Sequence, residues 1–250
     1  MSSSEKPAEE IRASDERTIF YARLDSVCSS RRSTKGVMSQ RDDLVTLLAA
    51  RSARRGTFTL ASGRQSSLYI DARMTTMSPE GLLLIGPLGL RAMEEAGWVI
   101  DSAGGLTLGA DPIACAISYA SASTTKPVRA FTVRKEAKVH GTGKVIEGPF
   151  RAGDRVAVIE DTITTGGSAR KAIEAVRDAG GTVVGVLALV DREEGGREAL
   201  EAHGLRVVTL VRATEIVSRL PVQASPPDGG EGLVDHSPRV GGGPGGRERP

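Results

Sequence analysis

Aromatic residues make up only 3% of this 250-residue chain, too few for the stacking platforms that hold single-stranded nucleic acid. Neither sign of charge prevails: 33 Lys and Arg face 31 Asp and Glu, a net charge of +2. The basic excess of a duplex-binding face is missing, so nucleic acid is not an expected partner. The two cysteines, Cys28 and Cys115, offer neither a disulfide framework nor metal-ligand spacing. They read as buried or incidental thiols of a reducing compartment. No run approaches the ~20 apolar residues of a membrane helix, so no membrane partner is expected. The first 20 residues carry Glu5, Glu9, Glu10, Asp15 and Glu16 and no apolar stretch, unlike a secretory signal. A soluble, cytoplasmic protein is the expectation.

Apolar periodicity is concentrated in the middle of the chain. Residues 1–37 are rich in Ser, Arg and Glu without a sustained period, and read as a disordered extension. Met38 stands where the ordered pattern begins and is a candidate alternative start. Residues 221–250 hold 6 Pro and 8 Gly and read as a flexible tail. Residues 38–220 form the expected domain. Ser39-Gln40-Arg41-Asp42 resembles a capping box ahead of Leu44, Leu47 and Leu48, with Gly56 as the expected end of that helix. Phe58–Leu60 and Leu68–Asp71 are expected to pair as a hairpin around Ser62-Gly63-Arg64. Ser78-Pro79 opens a helix running to Gly97. Strands are then expected at Val99–Ile100, Val128–Val133, Val156–Glu160, Val183–Asp191 and Leu205–Val211. They alternate with helices near Pro112–Ala122, Ser168–Ala179 and Arg197–Ala202. Such alternation predicts an α/β fold with a mostly parallel sheet flanked by helices, preceded by a small N-terminal hood. Ligands of such sheets bind at the carboxyl ends of the strands.

One segment there has a composition suited to a phosphorylated sugar. Val156–Ile159 is a compact apolar run that ends in Glu160 and Asp161. Thr162-Ile163-Thr164-Thr165-Gly166-Gly167-Ser168 follows and leads into a helical pattern. Gly166 and Gly167 let the backbone approach an anion, and free N–H groups at the helix start attract phosphate. Thr164, Thr165 and Ser168 add hydroxyl donors. An acidic pair beside a phosphate cradle repels phosphate, so Glu160 and Asp161 must face a ribose diol or a Mg²⁺-bound water. An ordinary capped turn explains Thr-Thr-Gly-Gly alone, but not the whole constellation. The segment Val156–Ser168 resembles the PRPP-binding signature of type I phosphoribosyltransferases. It matches neither the dinucleotide Gly-x-Gly-x-x-Gly pattern nor a P-loop.

A second segment selects within that group. Arg134-Lys135-Glu136-Ala137-Lys138-Val139-His140-Gly141 follows the Val128–Val133 strand, and four cations and a histidine fall within Arg134–Lys144. A solvated charged loop is the bland alternative, but a departing pyrophosphate needs such cations. This segment is similar to the catalytic loop of orotate phosphoribosyltransferases. The resemblance implies that Arg134 and Lys135 contact PRPP phosphates, that Lys138 stabilises the leaving pyrophosphate, and that Lys138 and His140 reach into the partner subunit's site in a homodimer. It also assigns catalytic roles to Lys138, His140 and Asp161.

Weaker matches extend the resemblance over roughly Ser39–Ile216. Phe58–Asp71 is similar to the family's hood. There Arg54 stands for a PRPP-contacting lysine, and Tyr69 and Ile70 match residues lying against the pyrimidine. Asp191-Arg192 ends a strand, and a guanidinium suits a planar carboxylate such as that of orotate. By the resemblance, Arg192 and Thr164 bind orotate. Gly104–Pro112 fits the loop that faces pyrophosphate, but Leu108 stands where many members have lysine. The resemblance implies transfer of the phosphoribosyl group of PRPP to orotate, giving orotidine 5′-monophosphate and pyrophosphate in de novo pyrimidine synthesis. Mg²⁺ would be held mainly through PRPP, aided by Glu160 and Asp161. A salvage phosphoribosyltransferase shares the phosphate loop but is disfavoured by the basic loop and Arg192. A non-catalytic PRPP-sensing regulator would carry a nucleic-acid-binding module or a basic face, and neither is evident.

Overall fold

A computed structural model describes residues 34–59, 65–135 and 145–221, with the side chains of 34–38 and 59 left aside. Six strands form one sheet in the order β5-β4-β3-β6-β7-β8: β3 (Ser102–Leu106), β4 (Arg129–Val133), β5 (Ile146–Glu147), β6 (Arg155–Ile163), β7 (Thr182–Asp191) and β8 (Val207–Arg212). All neighbours are parallel except β4 and β5. The two-residue strand β5 has too little sequence to show a period, and was not expected.

Helices α1 (Thr34–Arg51), α3 (Pro79–Glu95) and α4 (Ala110–Ser121) pack on one face, and α5 (Gly167–Asp178) and α6 (Gly196–Glu201) on the other. The strands show why the apolar runs are continuous. Ala157 and Ile159 join the first core with Leu187 and Leu189, while Val156 and Val158 join the second with Val186 and Ala188. Successive side chains point to opposite faces, and helices cover both.

The hood is a separate antiparallel pair, β1 (Ala53–Thr59) with β2 (Gln65–Ile70), followed by the single turn α2 (Arg73–Thr76). The Asp71 amide donates to the Ser52 carbonyl at 2.8 Å, and the buried Ser52 and Thr75 hydroxyls meet at 2.7 Å. A bidentate pair from Arg41 on α1 to Glu215, both contacts at 2.8 Å, ties the first helix to α7 (Ala213–Val217).

Several expected boundaries move. Helix α1 starts at Thr34, so Ser39 lies inside it and caps nothing. Gly56 does not end that helix; it sits in β1, where the register shifts between Arg55 and Phe58. The strand expected at Val99–Ile100 instead occupies Ser102–Leu106 and includes Gly104-Gly105, expected in a loop. Space explains the glycines: a Cβ on Gly104 would stand 2.1 Å from the Phe131 carbonyl, and one on Gly105 2.1 Å from that of Ile159. The expected start of α3 holds, with the Ser78 hydroxyl accepting from the Gly81 amide at 3.1 Å. The hairpin turn at 62–64, residues 1–33 and residues 222–250 lie outside the described residues, and 34–37, expected in the disordered extension, belong to α1.

Candidate active site

Because β3, β4, β6 and β7 run parallel, their carboxyl ends bring four loops to one edge of the sheet. The end of β2 closes the cleft from the hood side. The lining of the resulting cavity, about 350 Å³, includes nine expected site residues: Tyr69, Ile70, Lys135, Glu160, Asp161, Thr162, Thr164, Ser168 and Arg192.

The phosphate loop has the expected form. Gly166 adopts φ +75°, the left-handed region where a side chain would be strained, and α5 starts directly after it. No side chain caps that end, so the first N–H groups remain available to an anion. Thr164 and Ser168 line the cleft, whereas Thr165 is exposed. Ile163 differs from the expectation: its side chain is buried in the core, and its carbonyl accepts the Arg192 amide at 3.0 Å. Only its backbone can serve a ligand.

Strand β6 runs through the acidic pair, three residues beyond its expected end. Burial, and secondarily the neighbouring Asp161 charge, push the Glu160 carboxyl up to about 8. Burial also raises Asp161, opposed by the Thr162 amide donating to its Oδ1 at 2.8 Å and by the nearby Arg73 charge. The pair is thus held in a dehydrated niche that favours hydroxyl donors or a cation as neighbours. Across the cleft, Gly109 leaves room for it: a Cβ there would stand 2.6 Å from the Asp161 carboxyl. The Thr107–Gly109 loop is anchored from below by Asp111, which accepts from the Thr107 and Thr132 hydroxyls, each at 2.8 Å.

Arg192 is the most constrained cation of the site. Its Nε donates to Glu194 at 2.9 Å, and its Nη2 donates to the Ser66 hydroxyl and the Leu68 carbonyl, both at 3.1 Å. The side chain is 7% exposed. Of its donors, only Nη1 takes no hydrogen bond among the described residues. A bidentate grip on a carboxylate is therefore unavailable to this guanidinium in this arrangement, since Nε and Nη2 are both engaged.

Other expected residues are less central. Arg134 lies outside the cleft lining, 3.4 Å from Glu147. Arg54 is exposed and outside the lining, but faces Tyr69 directly across the hairpin. Lys138 and His140 lie outside the described residues. Cys115 is exposed and belongs to no site. Sequence reasoning missed Asp71 and Arg73, which line the cleft. A carboxylate two residues before a guanidinium, just past a strand end, was their one available signal. Among the described residues, no three His, Cys, Asp or Glu side chains are grouped to hold a metal, and no helix is long and apolar enough to cross a membrane.

This sheet, with a phosphate loop opening α5 and an acidic pair at the end of β6, defines a type I phosphoribosyltransferase. Adenine phosphoribosyltransferase from Saccharomyces cerevisiae, 21% identical with a TM-score of 0.51 over 67% of this chain and 98% of that one, shares the fold alone. No family model matches the chain. The orotate phosphoribosyltransferase of Aquifex aeolicus (strain VF5) is 45% identical over 184 residues, covering 72% of this chain and 100% of that protein. That of Mycobacterium tuberculosis (strain ATCC 25618 / H37Rv) is 48% identical over 168 residues, covering 66% and 90%. The crystal structure of the M. tuberculosis H37Rv enzyme in complex with PRPP superposes with a TM-score of 0.60 at 42% identity, over 71% of this chain and 99% of that one. The chain belongs to the orotate phosphoribosyltransferase family.

Proposed function

We propose that the cleft at the carboxyl edge of the sheet transfers the phosphoribosyl group of PRPP to orotate, in de novo pyrimidine synthesis, giving orotidine 5′-monophosphate and pyrophosphate. The observation that carries this reading is the juxtaposition of the phosphate loop and Arg192: the Arg192 amide bonds Ile163 of that loop, while its Nη1 remains available to a carboxylate. One rigid turn thereby serves both the 5′-phosphate and the base.

In this reading Thr164, Thr165, Gly166, Gly167 and Ser168 hold the 5′-phosphate, with the backbone of Thr162 and Ile163 completing the loop. Glu160 and Asp161 accept from the ribose hydroxyls. Tyr69 and Ile70 lie against the flat pyrimidine, and Arg192 with Thr164 recognises its polar edge. Arg54, Arg134, Lys135, Lys138 and His140 face the phosphates. The bond from ribose C1 to the pyrophosphate oxygen breaks, the bond from C1 to the orotate ring nitrogen forms as that nitrogen's proton passes to pyrophosphate or water, and positive charge develops on the sugar between them. Positioning and charge stabilisation then do most of the catalysis. Mg²⁺ would neutralise the pyrophosphate. Two adjacent carboxylates without a cage fit an ion bound mainly through substrate oxygens.

The homodimer with shared sites belongs to this proposal, supported by exposed Met74 on α2, Met77 just after it, Leu83 on α3 and Tyr119 on α4. So does a cytoplasmic location, and a catalytic unit of residues 38–220 between two tails without chemistry. Orotate consumption that requires both PRPP and Mg²⁺ is the expected behaviour, and Lys138→Ala should lower turnover about 10²-fold or more while PRPP still binds. Unchanged turnover in that variant would overturn the loop assignment.

A further inference from the structure

Leu108 leaves a gap in the charge pattern of the cleft. The Thr107–Gly109 loop abuts the acidic pair, and Leu108, 65% exposed at the cleft wall, brings no charge to the wall where the phosphoribosyl-transfer reading puts pyrophosphate. Of the described cations lining the cleft, Arg192 is paired with Glu194 and buried. Lys135 also lines it, and Arg73, though paired with Asp71, is 51% exposed.

Arg73 lies on the hood wall, in the first turn beyond β2. Its Nε and Nη2 fork onto Asp71 at 2.8 and 3.0 Å, and its amide donates to the same carboxylate at 3.1 Å. This grip fixes the direction of the guanidinium while using only one edge. Its Nη1 takes no hydrogen bond among the described residues, and the side chain is half exposed to the cleft. Asp161 lies between the two walls: its carboxyl abuts Gly109 and also feels the Arg73 charge. Arg73 and Leu108 therefore line the same cleft, with Asp161 near both walls.

We propose that Arg73, oriented by Asp71, supplies the pyrophosphate-facing positive charge that Leu108 cannot, and that Asp71 is its positioning residue. The inference rests on the phosphoribosyl-transfer reading for the identity of the anion. A fork that merely stiffens the turn into α2 would be indifferent to the anion, and that difference makes the proposal testable.

Two titrations on the full-length protein in Mg²⁺ separate the questions: pyrophosphate, and orotidine 5′-monophosphate. Arg73→Ala should weaken pyrophosphate binding about tenfold or more, as expected for loss of a charge-assisted contact, and leave orotidylate binding within about twofold. Arg73→Lys should retain most of the affinity. Leu108→Lys placed in the Arg73→Ala chain should restore it, because the new ammonium enters the same cleft. In steady state the same variants should raise KM for PRPP and spare KM for orotate. Unchanged pyrophosphate affinity in Arg73→Ala, or no recovery with Leu108→Lys in a folded double variant, overturns the proposal. If Arg73→Ala does not fold, Arg73→Gln replaces it, and equal affinities of Gln and Lys variants overturn it likewise. Failure of the wild-type chain to bind orotidylate counts against the functional reading instead.

Discussion

Glu160 carries a carboxyl whose protonation is displaced from about 4.5 to about 8 by burial beside Asp161. A group bound to its proton more tightly in the folded chain than in the unfolded one stabilises the fold at low pH. That contribution is complete below about 4.5 and is lost as pH rises to about 8. Without ligand, the protein should therefore lose a few kcal/mol across this window, and Glu160→Gln should flatten the slope in denaturant melts at several pH values. A wild-type slope that survives Glu160→Gln would place the titration elsewhere. The same displacement predicts proton release when PRPP binds near neutral pH, since ribose hydroxyls donate best to the ionised form. Arg192 is the second informative residue. Its Nε is held by Glu194 and its Nη2 by the hood, so Arg192→Lys should raise KM for orotate at least tenfold with little change in KM for PRPP. Equal effects on both substrates would deny it a role in base recognition.

At the level of elements, the long apolar strands and amphipathic helices were legible because their periods are set by burial on two faces. Ile173 and Val176 on α5, or Leu187 and Leu189 on β7, could hardly do otherwise. The position of β3 was not legible. A strand was expected at Val99–Ile100 and a loop from Gly104, whereas the strand is Ser102–Leu106, because its glycines answer to the neighbouring Phe131 and Ile159 carbonyls and not to any local preference. Tertiary contact overrode composition there. Gly105→Ala should accordingly force β3 away from β6 and cost about 2 kcal/mol or more in an equilibrium unfolding experiment; a neutral substitution would mean the strands can separate freely. The site divides in the same way. The loops at the ends of β6 and β7 announced themselves through residue type and spacing. The Asp71–Arg73 fork and the Arg192–Glu194 pair are contacts between residues two apart, but the hold of Ser66 and Leu68 on Arg192 depends on how the hood leans on the sheet edge, which no local pattern encodes.

For the whole molecule, the parallel sheet gathers chemistry from distant parts of the chain into one cleft, and the hood closes it. Under the proposed function the basic loop acts on a second subunit, and the dimer, not the chain, would be the catalytic unit. Mixing Lys138→Ala chains with Asp161→Asn chains should recover up to about a quarter of wild-type activity through random pairing, with one intact site per mixed dimer. No recovery in demonstrated heterodimers would assign loop and cleft to the same chain. The central claim is tested most directly by supplying the protein with PRPP and Mg²⁺ and following orotate, uracil, adenine and xanthine separately. Orotate alone should be consumed, with orotidine 5′-monophosphate and pyrophosphate appearing in equal amounts. Orotate left intact while another base is consumed would contradict the account.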